Sequence, residues 1–313
     1  MTKIQAPNGL SGEASSFYDQ DIATMPDIDF TSSDSVQYLR DAVNEIWGSL
    51  CQQIPYDYSF DAITINNINC YQVDPPEVEN EEVLIIYIHG GSYIVGHPTL
   101  CKNMPVSIAH ESGIRVVSVE YRLGPEHPFP AAIDDVLDVI KGLQNHFGKN
   151  VRYALMGHSS GGGLALISAL HAKNKNLLEP IAMALISPWI DLELQGDSML
   201  TLEAFDTNPP TRDWFYQSVE AFIGQYQRTE PAISPLNDDV SGLCPIYIQQ
   251  GGRDRLLSDA TRLNRRLLNA GVNSTLDIWD GLWHAFQMMP LLPEAQQANQ
   301  ATASFLRATL TKA

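Results

Sequence analysis

The sequence predicts an α/β protein with a mostly parallel, doubly wound central sheet and a helical cap or lid. The first observation is a set of near-continuous β-branched runs, such as residues 83–88 and 116–119, which are typical of strands buried on both faces. The second is that these runs alternate with helical patterns, which indicates parallel strands joined by helices. Ligands bind at the carboxyl ends of the strands in such sheets, so functional residues are expected there.

The elements follow one another in a regular order. An amphipathic helical pattern covers residues 35–50, and residues 62–73 alternate as one early strand. Further strands are predicted at residues 83–88, 116–119, 151–156, 181–186, 245–250 and 274–279. Further helices are predicted at residues 131–147, 162–170, 259–269 and 294–310.

The same patterns divide the chain into segments. Residues 1–50 are assigned to an N-terminal helical segment, and residues 51–188 and 234–313 to two parts of the α/β core. Residues 189–233 interrupt the alternation with a helical insertion that is rich in aromatic residues. These aromatic residues are Trp214, Phe215, Tyr216, Phe222 and Tyr226. Part of the insertion is expected to pack on the core, and its place after a strand's carboxyl end predicts a lid over the site.

Composition limits the partners of the protein. Its 313 residues include 37 acidic and 19 basic side chains, which give a formal charge of −18. This charge repels nucleic-acid phosphates and anionic lipid surfaces, so neither partner is expected. The four cysteines lie far apart, and the eight histidines lack the spacing of metal ligands. No apolar run matches a signal peptide or a membrane span, so we expect a cytoplasmic protein without metal or cofactor.

A serine between two glycines follows the predicted strand 151–156, in the sequence Gly157-His158-Ser159-Ser160-Gly161. A strand, this motif and then a helix are typical of a nucleophile elbow, a sharp turn that exposes the serine hydroxyl above the sheet edge. Side chains at the glycine positions would clash with neighbouring backbone, and the serine is expected in a strained conformation. Ser159 is therefore the candidate nucleophile.

A serine nucleophile needs a base, usually histidine, and a carboxylate that orients the base. Both follow in the expected chain order, because Asp254 comes after the predicted strand 245–250 and His284 after the predicted strand 274–279. The competing interpretation of Asp254 is a carboxylate at the start of the next helix, but Asp259 is better placed for that role. Asp254 and His284 are therefore predicted as acid and base.

Attack on a carbonyl creates an oxyanion, which backbone N–H groups stabilise by about 3 kcal/mol each. The sequence His89-Gly90-Gly91-Ser92 directly follows the predicted strand 83–88, and its glycines let the backbone approach a substrate closely. Gly90 and Gly91 are predicted to donate two N–H groups. Ser160, directly after the nucleophile, is predicted to donate a third.

Several motifs together resemble the bacterial hormone-sensitive-lipase family of α/β-hydrolase esterases. They span about residues 60–310 in the order that the family shows, and the block at 121–132 is highly specific. The motifs are His89-Gly90-Gly91-Ser92 with Gly96, the block YRLGPEHPFPAA at 121–132, the elbow at 157–162, Ser187-Pro188-Trp189, Asp254-Arg255-Leu256 and His284-Ala285-Phe286.

The resemblance implies an α/β-hydrolase fold and serine-dependent hydrolysis of short- to medium-chain carboxylic esters. It also implies an N-terminal cap joined by the insertion, a small-molecule ester as partner and, in many members, a homodimer. The substrate pocket is expected to include Tyr93 and Trp189, together with Phe215 and Phe222 of the insertion.

The chain departs from the family pattern at four positions. Ser92 stands where glycine is commoner, His158 and Ser160 stand where aspartate and alanine are commoner, and Arg255 replaces the usual proline. None of these departures removes a catalytic group. They bear on substrate preference and subfamily.

Two other functions stay open. An amidase or arylformamidase is one, because a Gly-His-Ser elbow also resembles that group of hydrolases. The other is a non-catalytic ligand-binding receptor on the same scaffold. Plant hormone receptors that resemble this family lose the catalytic histidine, so the presence of His284 argues against the receptor.

Overall fold

A computed structural model describes residues 5–19, 28–206 and 212–311, with an eight-stranded sheet at its centre. The strands are β1 (Ser59–Ile65), β2 (Ile68–Asp74), β3 (Val83–Ile88), β4 (Arg115–Val119), β5 (Arg152–His158), β6 (Ala182–Ile186), β7 (Ile246–Gly251) and β8 (Ser274–Trp279). The helices are α1 (Gly12–Phe17), α2 (Ser33–Cys51), α3 (Asn103–Ser112), α4 (Ala131–Phe147), α5 (Ser160–Asn174), α6 (Ser198–Thr201), α7 (Arg212–Ile223), α8 (Leu257–Asn269) and α9 (Pro293–Leu310).

The strand order is β1-β2-β4-β3-β5-β6-β7-β8, and neighbouring strands from β4 to β8 run parallel. Strand β2 is antiparallel to both of its neighbours, β1 and β4. Every residue of β3 and of β6 is buried, as their near-continuous apolar runs predict. The predicted α/β class with a mostly parallel sheet is confirmed.

Alternate residues of β3 pack on opposite faces of the sheet. Leu84, Ile86 and Ile88 belong to a core shared with α4, α5 and α8. Ile85 and Tyr87 belong to a core shared with α3 and α9. Because helices cover both faces, the carboxyl ends of the strands are where a ligand site can form.

The structure corrects the prediction of a single strand at residues 62–73. The stretch forms the antiparallel hairpin β1–β2, in which Ile65 pairs with Ile68. Asn66 and Asn67 form the connection with φ angles of 48° and 69°. Asparagine tolerates this left-handed conformation better than most residues do, and two such residues suit a tight hairpin turn.

The N-terminal segment and the insertion contact each other beside the loop that follows β3. The rings of Phe30 and Trp214 meet edge to face with their centroids 5.5 Å apart. Arg40 of α2 donates to the main-chain oxygen of Ile94 at 3.0 Å and forms a bidentate ion pair with Glu126. These contacts join α2, α7 and the loop after β3 into one packed unit.

The described part of the chain contains no helix that is long and apolar enough to span a bilayer, and no group of acidic, histidine or cysteine side chains arranged for a metal ion. The four cysteines are free, and burial raises the pKa of each thiol above its ordinary value. These cysteines therefore lack the lowered pKa of an activated nucleophile.

Candidate active site

Ser159 lies at the junction of β5 and α5 in a strained conformation, with φ 54° and ψ −126°. The flanking glycines allow this turn. A Cβ on Gly157 would lie 2.2 Å from the main-chain oxygen of Gly161, and a Cβ on Gly161 would lie 2.2 Å from that of Ile88. The Ser159 N–H donates to Ile186 of β6 at 2.9 Å. The structure therefore has the strand, sharp turn and helix that the motif predicts.

The structure brings Ser159, His284 and Asp254 together from three different strand ends. Ser159 Oγ lies 3.0 Å from His284 Nε2, and His284 Nδ1 lies 2.9 Å from Asp254 Oδ2. Asp254 is fully buried, whereas the His284 side chain keeps 15% of its surface exposed. The predicted nucleophile, base and acid thus form one continuous line of hydrogen bonds.

The structure corrects the reason for choosing Asp254 over Asp259. Asp254 does serve the start of α8 as well, because its Oδ1 accepts the Leu256 N–H at 2.8 Å while its Oδ2 faces the imidazole. Asp259 does not cap that helix. Its buried carboxylate accepts the N–H groups of Ile190 and Asp191, each at 2.8 Å. One carboxylate therefore fills both roles that the sequence pattern treats as alternatives.

A second buried carboxylate, Asp206 of the insertion, contacts the backbone of both catalytic loops. Its Oδ2 accepts the Arg255 N–H at 3.0 Å, and its Oδ1 accepts the His284 N–H at 3.4 Å. Burial by itself lowers the pKa of His284, but the charge and hydrogen bond of Asp254 and the charge of Asp206 outweigh it. The pKa of His284 is therefore raised above its ordinary 6.5.

The turn after β3 lies next to the nucleophile, as predicted. Gly91 has a φ of +120°, and a Cβ there would lie 2.1 Å from the main-chain oxygen of Val95, so only glycine fits. Among the described residues, the amides of Gly91, Ser92 and Ser160 have no protein acceptor.

The Gly90 amide, predicted as an oxyanion donor, contacts a side chain in the structure. This N–H is directed at the imidazole of His158, with its nitrogen 3.2 Å from both ring nitrogens. It is therefore already engaged within the protein, unlike the amides of Gly91 and Ser160. The neighbouring amide of Ser92 is a donor that the sequence motif did not single out.

The four aromatic residues predicted to line a pocket pack against one another in one cluster. Tyr93 stacks on Phe222 with ring centroids 3.8 Å apart, and Trp189 meets Phe215 edge to face at 5.0 Å. The main-chain N–H of Trp189 donates to the main-chain oxygen of Ser159 at 2.9 Å. All four rings are nearly fully buried. Their contact with substrate stays a prediction.

The comparison with known proteins agrees with this architecture. A sequence profile described as the alpha/beta hydrolase fold matches residues 85–288, and the chain has that fold. An acetyl-hydrolase of Streptomyces hygroscopicus is 31% identical over 79% of this chain and 82% of its own. An ethyl acetate hydrolase of Pseudomonas putida is 32% identical over 68% of this chain and 69% of its own.

A solved structure extends the comparison to three dimensions. It is an esterase from the bacterial hormone-sensitive lipase family, with a TM-score of 0.80, 29% identity, and coverage of 89% of this chain and 99% of that one. The chain belongs to this family of α/β-hydrolase esterases, as its motifs predict. It is accordingly a carboxylic ester hydrolase.

Proposed function

We propose that this protein is a serine carboxylesterase that hydrolyses esters of short- to medium-chain carboxylic acids through an acyl-enzyme. The observation that carries the proposal is the line of hydrogen bonds from Ser159 through His284 to Asp254, with lengths of 3.0 and 2.9 Å. A base within hydrogen-bond reach, held by a carboxylate, is what a serine hydroxyl needs to attack a carbonyl carbon.

In the acylation step, Ser159 Oγ attacks the ester carbonyl while His284 Nε2 takes the hydroxyl proton. Because His284 Nδ1–H donates to Asp254, the lone pair of Nε2 faces the serine, and the buried carboxylate stabilises the imidazolium that forms. The tetrahedral intermediate then collapses as His284 gives this proton to the leaving alkoxide. The alcohol departs and the acyl group stays on Ser159.

The negative charge of the tetrahedral intermediate is assigned to backbone donors. Gly91 and Ser160 are the proposed pair, and Ser92 is the third candidate, because these amides have no acceptor within the described part of the chain. Each such donor contributes about 3 kcal/mol to transition-state stabilisation. The N-terminus of α5, which begins at Ser160, adds a favourable dipole at the same point.

Deacylation repeats the chemistry with water as the nucleophile. His284 Nε2 takes a proton from a water molecule, whose oxygen attacks the acyl carbon. The second tetrahedral intermediate expels Ser159 Oγ, which recovers its proton from His284. The products are a carboxylic acid and the free enzyme, with no cofactor consumed.

Small acyl groups, acetyl among them, are proposed as the preferred substrates. Tyr93, Trp189, Phe215 and Phe222 form a buried aromatic cluster, and the main-chain N–H of Trp189 donates to the main-chain oxygen of Ser159. We assign these four residues to the substrate pocket, because ligand pockets are lined mainly by apolar and aromatic side chains. The names acetyl-hydrolase and ethyl acetate hydrolase of two relatives support the same choice.

The proposal extends to the organisation of the protein. Residues 1–50 are taken as a cap and residues 189–233 as a lid over the site, and the hydrophobic cluster that α2 shares with Trp214 of α7 supports this division. A cytoplasmic location fits four free cysteines. The family resemblance also implies a homodimer, and analytical ultracentrifugation measures the mass of the particle in solution.

Hydrolysis of p-nitrophenyl esters from acetate to dodecanoate tests the proposal with wild type and Ser159→Ala. We expect kcat/KM to be highest for acetate or butyrate, and the variant to lose turnover of every ester. p-Nitroacetanilide presents the same acyl group on an amide and separates an amidase from an esterase. Turnover retained by Ser159→Ala, or faster turnover of the anilide, would contradict the proposed function.

A further inference from the structure

His158 directly precedes the nucleophile, yet the proposed mechanism gives it no role. It ends strand β5, only 2% of its surface is exposed, and its side chain contacts Tyr87 of β3 and Gly90 of the following turn. The last backbone pair between these parallel strands joins Ile88 to Gly157, one residue earlier. The imidazole therefore occupies the space between the elbow and the turn where the two strands stop pairing.

A hydrogen bond to Tyr87 holds the edge of this imidazole. Tyr87 Oη lies 2.7 Å from His158 Nδ1 and has no other partner among the described residues. Burial raises the pKa of the Tyr87 phenol and lowers that of the His158 imidazole, so both groups stay neutral.

The Gly90 amide contacts the face of the ring. Its nitrogen is 3.2 Å from both Nδ1 and Nε2 of His158. A point in the ring plane that is this close to both nitrogens would overlap the carbon atoms of the ring, so Gly90 must lie above the plane. An N–H group over the face of a neutral aromatic ring is a weak hydrogen bond to its π electrons. It leaves Nδ1 free to form its hydrogen bond with Tyr87 in the plane of the ring.

Gly90 and His158 lie so close together that Gly90 cannot carry a side chain. A Cβ built on Gly90 would lie 2.8 Å from both the Nε2 and the main-chain oxygen of His158, and 2.9 Å from its Cδ2. The imidazole therefore packs directly against the peptide between His89 and Gly90. The next residue is Gly91, whose amide is a proposed oxyanion donor. A shift of Gly90 would therefore move that donor.

We propose that His158 is a positioning residue whose ring face supports the oxyanion turn and thereby sets the distance between the Gly91 amide and Ser159. This inference rests on the proposed function, because it concerns the oxyanion hole of the same site. It assigns a role to the histidine that replaces the aspartate commoner in the family.

Four variants test the inference through kcat, KM and the affinity of a trifluoromethyl ketone, which binds as a tetrahedral adduct. His158→Ala removes the ring, and we expect kcat to fall about 100-fold with little change in KM, as for a misplaced oxyanion donor. Affinity for the ketone should fall by a similar factor, because it reports transition-state binding. The double variant His158→Phe/Tyr87→Phe keeps a ring face and removes both polar partners, so it should recover most of the lost kcat. His158→Leu keeps apolar volume without a ring face and should stay impaired.

The control is His146→Ala, at an exposed position of α4, which should behave as wild type. Wild-type kcat in His158→Ala, or equal kcat in His158→Leu and the double variant, would overturn the inference. If the alanine variant does not fold, the comparison between the leucine and double variants still decides. If the His158 variants contradict the positioning role, the proposed function still stands as long as Ser159→Ala is inactive. Turnover by Ser159→Ala would instead overturn the proposed function itself.

Discussion

Changing Asp254 to asparagine probes the tautomer of the catalytic imidazole without removing an atom from the site. The asparagine carbonyl can keep the bond that Oδ1 accepts from the Leu256 N–H at 2.8 Å. Its NH₂ group then faces His284 Nδ1, where the carboxylate Oδ2 lies 2.9 Å away. Because an amide NH₂ only donates, Nδ1 must offer its lone pair, and the imidazole proton moves to Nε2. A protonated Nε2 at 3.0 Å from Ser159 Oγ cannot take the serine proton.

The expected loss of kcat follows from this change of tautomer and from the burial of Asp254. Asp254 is fully buried, so no water replaces the carboxylate as a partner for the imidazolium. A triad aspartate changed to asparagine costs about 10⁴-fold in kcat. At about 1.4 kcal/mol for each factor of ten, that is about 5.5 kcal/mol of transition-state stabilisation.

The assay is p-nitrophenyl acetate hydrolysis at pH 8 with matched circular dichroism spectra. Asp259→Asn is the control, because it makes the same change at another buried aspartate five positions along the chain, away from the imidazole. It should keep kcat close to that of wild type. The reasoning would be refuted if Asp254→Asn retained more than about a tenth of the wild-type kcat, or if the Asp259 variant lost as much activity.

Three further outcomes are expected. The acidic limb of the pH profile of kcat/KM reports the pKa of His284. Burial lowers this pKa, but two buried carboxylates, Asp254 and Asp206, outweigh burial and raise it above 6.5. Asp206→Asn should therefore move the limb to lower pH, and an unmoved limb would contradict this coupling. Gly161→Ala places a Cβ 2.2 Å from the main-chain oxygen at the end of β3, so urea unfolding should show a loss of at least about 3 kcal/mol. Burial and a neighbouring carboxylate raise the pKa of Asp259 from 3.8 to about 7, so its native state holds the proton more tightly than the unfolded chain does. Stability should therefore fall as pH rises from about 4 to about 7, and Asp259→Asn should weaken this dependence in urea titrations at pH 5 and 8.

Chain order and strand ends were enough to predict most of this architecture. Apolar runs such as 83–88 are typical of strands buried on both faces, and parallel strands bring their carboxyl ends to one edge. Ser159, Asp254 and His284 follow three such strands, so their convergence could be predicted without coordinates. The hairpin at Asn66-Asn67 was harder to predict, because one alternating pattern spans both of its strands.

The contacts that refine the site depend on distances between loops, which local patterns do not encode. Asp206 reaches the backbone of His284 from the insertion, and no motif spacing relates the two residues. The engagement of the Gly90 amide depends on His158, which lies 68 positions away in sequence. Positions in a motif therefore predicted which residues meet at the site, but not which of their polar groups are already occupied.

The most direct test of the central claim is the identity of the residue that becomes covalently modified. After reaction with a fluorophosphonate, the intact protein should gain the mass of one phosphonyl group, and peptide mass spectrometry should locate it on Ser159. Ser159→Ala should stay unmodified under the same conditions, while His146→Ala should react at the wild-type rate. A phosphonyl group on another residue, or an unmodified wild-type protein that still hydrolyses esters, would contradict the account.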